Sequence, residues 1–291
     1  MKVIAEPVHT LRQTLLQDAS RLTKALILTS DSARIEIQCL LQHVAGVSRA
    51  WLLAHPENCL DGLAQLRYSN LLERRLRGEP IAYLLGEREF YGLPLKVTPA
   101  TLIPRPETEL LVELVLRHIS RDDPCSGFLD LGTGGGAVAL AIAHARQNAD
   151  VLGCDISNEA LGIARINAEN LAITNAHFMH SNWFEALTGR RFNAIVSNPP
   201  YIASSDPHLT QGDIRFEPKS ALISGEDGLH DIRHIVANAR THLESGGWLL
   251  LEHGHKQAPQ VRELLWRAGF NTILSERDLA GIERVSGGRI V

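Results

Sequence analysis

The sequence predicts an α/β fold: an open sheet of seven strands with helices on both faces, preceded by a small all-helical domain. Beyond residue 125, short apolar runs alternate with helical patterns, which is typical of a mostly parallel sheet. Residues 1–85 show helical periodicity only. The last two apolar runs are too close for a crossover helix, so we expect the seventh strand to be antiparallel.

The composition indicates two globular domains and excludes a disordered chain, a collagen and a coiled coil. The chain has 291 residues, 44% hydrophobic and 21% charged, and no apolar stretch of membrane-spanning length. The segment Met1–Thr10 lacks the apolar region of a signal peptide. The net charge is −4 without a basic run, so we expect no direct nucleic-acid binding. Four cysteines, none paired at two-residue spacing, favour a cytoplasmic protein without zinc or disulfides: Cys39, Cys59, Cys125 and Cys154.

Three helices are predicted in the first domain. The first carries a face of five apolar residues, Leu11, Leu15, Leu16, Ala19 and Leu22. The second begins at a cap formed by Ser30 and Asp31 and ends near Gly46. The third, Asp61–Arg77, should turn its leucines (63, 66, 71, 72 and 76) inward and Arg74, Arg75 and Arg77 outward, as a solvated helix end rather than a binding patch. With no catalytic candidate, residues 1–85 are expected to dock a substrate.

A hairpin linker over residues 86–106 is expected before the second domain, 107–291. Its strands would be Phe90–Tyr91 and Leu95–Val97, around Gly92-Leu93-Pro94. The prolines of the segment Ile103–Glu109 then hold the chain extended before a helix over Leu110–Ile119. This segment is either a rigid linker or a lid over an adjoining pocket.

The elements of the second domain follow in order. The predicted strands are Phe128–Leu131, Val151–Cys154, Ala176–His180, Phe192–Ser197, Trp248–Glu252, Thr272–Ser275 and Arg284–Ile290. The predicted helices between them are Ala137–Arg146, Asn158–Asn170, Leu229–Leu243 and one that ends at Ala268. Because ligands bind beyond the carboxyl ends of strands in such sheets, candidate chemistry should cluster there.

A glycine loop follows the first strand: Gly132, Thr133, Gly134, Gly135 and Gly136. Glycines allow positive φ and close approach of backbone N–H groups to a ligand at a helix N-terminus. Asp155 ends the next strand, where its carboxylate can accept hydrogen bonds from ribose hydroxyls. The loop indicates a nucleoside site. It fits S-adenosylmethionine better than a nicotinamide cofactor, but by itself it does not exclude the nicotinamide cofactor.

The fourth strand ends in Asn198-Pro199-Pro200-Tyr201, which decides between these cofactors. The prolines lack N–H groups and hold the loop extended, so that it presents carbonyl acceptors. The side-chain oxygen of Asn198 and the carbonyl of Pro199 can accept both protons of a planar NH2 group, and Tyr201 can stack on it. The alternative is an ordinary proline turn. The loop therefore predicts methyl transfer to an amide or exocyclic amine, with Asn198, Pro199 and Tyr201 as catalytic residues.

Further motifs are Gly86–Gly92, Ile103–Glu109, Ser197–Ile202, Phe216–Pro218, Gly225–Leu229 and Leu251–Gln257. Together they resemble the bacterial peptide chain release factor N5-glutamine methyltransferases, from about residue 30 to the C-terminus. The resemblance implies a Rossmann-like class I methyltransferase sheet and methylation of the glutamine in the Gly-Gly-Gln motif of peptide chain release factors 1 and 2.

The resemblance also assigns site residues. It implies that Gly132 to Gly136, Asp155, Trp183 and Asn198 contact S-adenosylmethionine, which leaves as S-adenosylhomocysteine, and that Asn198, Pro199, Pro200 and Tyr201 hold the glutamine. Two positions depart from the family pattern. Gly135 replaces the usual Thr or Ser and loses a hydroxyl, and Asn182 replaces Asp and carries less charge; we expect weaker cofactor binding at most.

Other functions fit the residues less well. A DNA adenine N6-methyltransferase needs a basic groove and base flipping, which this acidic chain does not indicate. An oxidoreductase would not explain the presence of Asn198 to Tyr201. In a non-catalytic binding module, we would expect residues of this motif to be lost, whereas here the motif is intact. The mechanism is expected to be direct displacement without a strong base or a metal, and none of the thirteen histidines lies in a recognised metal pattern. We expect a monomer.

Overall fold

The computed structural model describes residues 9–119 and 127–291, which form two compact units. One unit holds the described residues up to Gly86 together with Thr210–Phe216, and the other holds the remainder. Cys125 and the residues that precede His9 lie outside the described ranges, so the predictions about them stay predictions.

The first unit is helical, as predicted. Its described α-helices are α1 (Leu11–Leu26), α2 (Ser30–Ala45), α3 (Arg49–Ala54), α4 (Gly62–Leu76) and α5 (Ile81–Leu85). The short helices α3 and α5 were not predicted, because five or six residues show too little periodicity. The cap of α2 is Thr29, whose hydroxyl accepts from the N–H of Ser32, rather than the predicted Ser30 and Asp31.

The predicted face of α4 is correct only in part. Leu72 is buried and Leu71 and Leu76 pack against the core as predicted, but Leu63 and Leu66 are 60% and 70% exposed. Arg75, predicted to face outward, is only 3% exposed. The buried positions of this helix are Ala64, Tyr68, Leu72 and Arg75. Arg75 can be buried because its guanidinium donates to Glu36 at 2.6 and 3.0 Å and to Asp213, in the same unit, at 3.2 Å.

The second unit begins with an antiparallel hairpin, β1 (Glu87–Phe90) and β2 (Leu93–Lys96). Tyr91 and Gly92 form the turn, and both have positive φ, as a two-residue hairpin turn requires. The hairpin was expected, but its turn lies earlier than predicted, so Leu93 and Pro94 belong to the second strand.

A seven-stranded sheet forms the body of this unit, as predicted. Its strands are β3 (Gly127–Leu131), β4 (Asp150–Asp155), β5 (Ala176–His180), β6 (Phe192–Ser197), β7 (Leu243–Glu252), β8 (Asn271–Arg277) and β9 (Glu283–Arg289). Their spatial order is β5-β4-β3-β6-β7-β9-β8. The last strand, β9, is antiparallel to both its neighbours. The order reverses between β3 and β6, which creates a crevice at their carboxyl ends.

Helices cover both faces of the sheet. They are α6 (Glu109–His118), α7 (Ala137–Ala145), α8 (Asn158–Asn170), α9 (His230–Ala239) and α10 (Ala258–Arg267). Alternate strand residues enter opposite cores: Phe128 packs with α6 and α7, whereas Leu129 packs with α9 and α10. Each such side chain, once buried, contributes about 1.5–3 kcal/mol to stability, so the sheet is a rigid platform for the loops at its edge. Within the described ranges, no helix is long and apolar enough to cross a membrane.

Candidate active site

A cavity of about 500 Å³ lies at the carboxyl ends of β3, β4 and β6. Five predicted cofactor residues line it: Gly132, Gly134, Asp155, Trp183 and Asn198. Thr133 and Gly135 line a smaller cavity that shares Gly132, Gly134 and Asn198 with the first. Seven of the eight predicted cofactor residues therefore meet at one edge of the sheet, whereas Gly136 lines neither cavity. Of the predicted substrate residues, Asn198 and Pro200 line the larger cavity, and Pro199 and Tyr201 line neither.

The glycine loop is held by its own backbone. The N–H groups of Gly132 and Thr133 donate to the carbonyl of Cys154 at 2.8 and 2.9 Å, and the N–H of Gly136 donates to the carbonyl of Thr133 at 2.8 Å. These bonds occupy donors that we expected to face a ligand. The glycines are thus needed for the backbone conformation of the loop more than for N–H groups that could bind a ligand.

Asp155 anchors this loop as well as facing the cavity. One carboxylate oxygen accepts the N–H of Gly134 at 2.8 Å, and the other accepts the N–H of Ser157 at 2.8 Å. Each oxygen keeps a second lone pair for a ligand hydroxyl. Asp155 can therefore bind a ribose and fix the loop at the same time.

Trp183 provides a flat apolar wall. Its φ is +49°, unusual for a residue other than glycine, and its ring lies 3.6 Å from the place where a Cβ on Gly132 would be. Asn182, which lines the same cavity, donates from its side-chain nitrogen to Glu185 at 2.7 Å. Its Oδ1 is thereby left as an acceptor for a ligand in the cavity.

Asn198 follows the buried strand β6, and its side chain has a fixed orientation. Ser197 anchors the strand end by donating from Oγ to the carbonyl of Leu131 at 2.6 Å. The side-chain nitrogen of Asn198 donates to Oγ1 of Thr108 at 3.1 Å. Pro200 lines the cavity together with Asn198.

Tyr201 is held from several sides. Its hydroxyl oxygen lies 3.3 Å from Oε1 of Glu252, and its carbonyl accepts from the side chain of Gln257 at 3.1 Å. A Cβ on Gly228 would stand 2.3 Å from the same carbonyl oxygen, so only glycine fits there. Residues of the motifs Gly225–Leu229 and Leu251–Gln257 thus support the loop that carries Tyr201. Burial raises the pKa of the Tyr201 hydroxyl, which stays protonated at neutral pH.

Two buried carboxyl groups stand behind the cavity. Burial raises the pKa of Asp130 to about 7, although the hydroxyl of Thr133 and the N–H of Ala139 lower it. Burial likewise raises the pKa of Glu252 to about 7. We did not predict roles for Thr108 and Glu252. The sequence signal that could have indicated Glu252 is its position, because like Asp155 it is a charged residue at the end of an apolar strand.

The segment Ile103–Glu109 is a fixed wall. Glu217 accepts the N–H of Ile103 at 3.0 Å and pairs with Arg105, and the residues just before, 99–102, line the cavity. This arrangement explains why the motif Phe216–Pro218 carries a glutamate, whose side chain is buried. These contacts favour the interpretation of the segment as a rigid linker, and its role as a lid stays a prediction.

The described residues contain no cluster of three or more metal-ligating side chains. The buried His253 is bound through Nε2 to Oγ of Ser286 at 2.8 Å, which is a structural role. Cys39, Cys59 and Cys154 are free thiols. Metal independence of the enzyme stays a prediction.

The residues present fit S-adenosylmethionine. The cavity offers a carboxylate for a ribose, a flat indole wall, an adjacent carboxamide oxygen at Asn182 and a glycine loop at a helix N-terminus. Asn198 also lines the cavity, and we expect the acceptor amine to lie beside it. Fold and site together define a methyltransferase of the Rossmann-like class.

Comparisons with known proteins narrow this class. A family model described as "PrmC N-terminal domain" matches residues 14–86, and one described as "Methyltransferase small domain" matches residues 107–215. The Release factor glutamine methyltransferase of Salmonella typhimurium is 50% identical over 89% of this chain and 93% of its own. Its namesake from Vibrio cholerae is 51% identical over 89% and 91%. The chain belongs to the family of release factor glutamine methyltransferases.

A solved structure supports the fold. The 16S rRNA N2 G1207 methyltransferase of T. Thermophilus, in complex with AdoMet and guanosine, aligns with a TM-score of 0.52 at 23% identity, over 70% of this chain and 50% of its own. At that identity the likeness concerns the fold alone. The DNA adenine alternative is not favoured by any of these relatives.

Proposed function

We propose that this chain transfers a methyl group from S-adenosylmethionine to the side-chain amide nitrogen of the glutamine in the Gly-Gly-Gln motif of peptide chain release factors 1 and 2. The observation that carries the proposal is the orientation of Asn198. Because its nitrogen donates to Thr108, its oxygen is the group left to receive the N–H of a substrate amide beside the cavity.

The loop from Asn198 to Tyr201, here called the substrate loop, binds the amide of the glutamine and orients its nitrogen. Oδ1 of Asn198 and the carbonyl of Pro199 accept its two protons, and the ring of Tyr201 lies flat against it. Positive charge develops on the nitrogen during transfer, so these acceptors stabilise the transition state more than the ground state. The methylated nitrogen then loses a proton without a strong base. S-adenosylmethionine, when bound, supplies an activated methyl group, and its product is S-adenosylhomocysteine.

Several residues would hold the cofactor. Asp155 would accept from the ribose, Trp183 would cover the adenine, and Gly132 to Gly135 would approach the remainder. No metal is invoked. The enzyme would act as a cytoplasmic monomer without binding nucleic acid directly, because its substrates are translation factors and the chain carries a net charge of −4.

Incubation of the chain with methyl-labelled cofactor tests this function. We expect label on release factor 1 and on release factor 2, none on a release factor whose motif glutamine is replaced by alanine, and none on duplex DNA. Transfer should persist in EDTA. Label on DNA, or on the alanine-bearing factor, would contradict the proposal, and activity restored only by zinc or magnesium would reveal a metal site.

The helical unit would dock the release factor. Its exposed leucines Leu63 and Leu66 on α4 form an apolar surface that its own core does not use. We expect the double substitution Leu63→Ser and Leu66→Ser to raise KM for intact release factor about tenfold while leaving cofactor Kd unchanged. A chain shortened to begin at Glu87 should bind cofactor yet methylate poorly. Full activity of the shortened chain would refute the docking role.

A further inference from the structure

A buried polar network lies behind the substrate loop. Its members are Asn198, Thr108, Tyr201 and Glu252. Thr108 and Glu252 are 4% and 2% exposed, and both belong to the catalytic unit. Thr108 precedes α6, whereas Glu252 ends β7, so the network ties two remote parts of the chain to the loop after β6.

The direction of each hydrogen bond follows from chemistry. Oγ1 of Thr108 accepts from the side-chain nitrogen of Asn198 at 3.1 Å, so the Thr108 proton is available to another acceptor. Oε1 of Glu252 accepts from the Tyr201 hydroxyl at 3.3 Å, and the buried Oε2 has no hydrogen-bond partner among the described residues. Oε2 is therefore the acceptor left for the Thr108 proton, and the nearby Thr108 hydroxyl lowers the pKa of Glu252.

An ionised carboxylate can only accept hydrogen bonds. If Glu252 is ionised, Thr108 points its proton at the carboxylate and its lone pair at Asn198. The carboxamide of Asn198 then has one stable orientation, with its nitrogen toward Thr108 and its oxygen toward the substrate. The reversed orientation would set the NH2 of Asn198 against the NH2 of the substrate, two donors without an acceptor.

We propose that Thr108 and Glu252 are positioning residues of the methyl transfer: Glu252 orients the hydroxyl of Thr108, and Thr108 orients the carboxamide of Asn198. This inference rests on the proposed function, because it assigns the substrate amide to Oδ1 of Asn198. Neither residue touches the substrate. Their effect passes through Asn198 and, for Glu252, also through Tyr201.

The proposal has a pH dependence that a merely structural role lacks. Protonated Glu252 can donate its own proton to the hydroxyl oxygen of Thr108. The Thr108 proton then no longer has to point at the carboxyl group, and the orientation of the Asn198 carboxamide is no longer fixed. The charged groups that act on the carboxyl are Arg284 on β9, which lowers its pKa, and Glu107 beside α6, which raises it. With the pKa of Glu252 near 7, kcat should fall as the pH drops below about 7.

Matched variants test each member of the network. Thr108→Val keeps the shape and removes the hydroxyl, and we expect kcat for release factor 1 to fall about tenfold or more with cofactor Kd unchanged by calorimetry. Thr108→Ser keeps the hydroxyl and should recover most of that loss. Glu252→Gln should reduce kcat less, and should flatten the pH dependence between pH 6 and 8, about one unit either side of the shifted pKa.

Several results would overturn the proposal. One is a Thr108→Val enzyme within threefold of the wild type, and another is a Thr108→Ser enzyme as slow as Thr108→Val. Loss of cofactor affinity in Thr108→Val would assign the residue a structural role, and an unchanged pH profile in Glu252→Gln would remove Glu252. If the wild-type chain transfers no label to release factor, the proposed function fails and this proposal with it, whereas a failure confined to the variants leaves the function standing.

Discussion

The two loops that meet at the active site are held in different ways. The glycine loop is fixed by backbone hydrogen bonds to the neighbouring strand, at the carbonyl of Cys154, and by the carboxylate of Asp155. The loop from Asn198 to Tyr201 contains two prolines, which have no N–H to donate. Side chains from distant elements hold it instead, namely Thr108, Glu252 and Gln257.

With the proposed roles of the two loops, this difference separates cofactor binding from catalysis. Backbone hydrogen bonds survive most side-chain substitutions, so the loop proposed for the cofactor should tolerate change except where a glycine needs its special conformation. Side-chain contacts are lost one at a time, so substitutions around the proposed substrate loop should lower kcat while leaving cofactor Kd nearly unchanged. Substitutions in each loop test this contrast.

The largest effect is expected at Asn198. Asn198→Ala removes the oxygen that aims the substrate amide, and kcat should fall about 100-fold or more, as when one preorganised polar partner is lost. Cofactor Kd should change much less, because the glycine loop and Asp155 remain. Asn198→Asp is the sharper variant: it keeps an acceptor but loses the donor to Thr108 and adds a charge. Single-turnover rates and calorimetry measure the two effects, and an equal loss in both would contradict the contrast.

The next effect concerns Tyr201, where the ring and the hydroxyl have separate roles. Tyr201→Ala removes the ring and should reduce kcat by about tenfold or more. Tyr201→Phe removes only the donor to Oε1 of Glu252 and should retain most activity. If Tyr201→Phe were as slow as Tyr201→Ala, the hydroxyl would take part in the chemistry, and the mechanism without a base would be wrong.

Sequence patterns were reliable where one physical cause dominates. The bounds of α8, β5 and β6 agree with the prediction at every residue, since Ser157 caps the helix and apolar runs define the strands. The burial of Arg75 on α4 was not predictable, because it depends on carboxylates from two other segments, Glu36 and Asp213.

The same limit applies within the site. Asp155 and Asn198 were found because each ends a strand and carries a polar group. Thr108 was missed because its role depends on a hydrogen bond with Asn198, which is 90 residues away in sequence. The assignment of residues to cofactor and substrate stays a prediction, which the variants described here test.

A smaller effect, on binding rather than rate, is expected at Asp155. Asp155→Ala removes a charged acceptor for the ribose, and Kd for S-adenosylmethionine should rise about tenfold or more, because a hydrogen bond to a charged group contributes roughly 1.5–3 kcal/mol. The substitution also frees the N–H of Gly134, so part of the loss would come from a looser glycine loop. Calorimetry gives the affinity, and thermal unfolding shows whether the fold survives. An unchanged Kd would remove Asp155 from the site.

The smallest effects are expected within the glycine loop, where three neighbouring glycines form a matched series. Gly136 has φ +86°, and a Cβ there would lie 3.1 Å from Ala164 and from Leu140. Gly134 has φ +54° with nothing within 4 Å, whereas Gly135 has no positive φ and would place a Cβ 3.5 Å from Thr101, an ordinary contact.

Alanine at these positions should therefore have graded costs. Gly136→Ala should lower the free energy of unfolding most, by about 1–2 kcal/mol for the left-handed backbone plus the cost of crowding. Gly134→Ala should cost the backbone part only, and Gly135→Ala should stay within about 0.5 kcal/mol. Gly135→Ser, which restores a hydroxyl common in the family, should keep that stability and bind cofactor at least as tightly. Denaturant titration and calorimetry measure both quantities. A Gly135→Ala variant as unstable as Gly136→Ala would show that the side chains around the loop, and not its backbone conformation, decide what it tolerates.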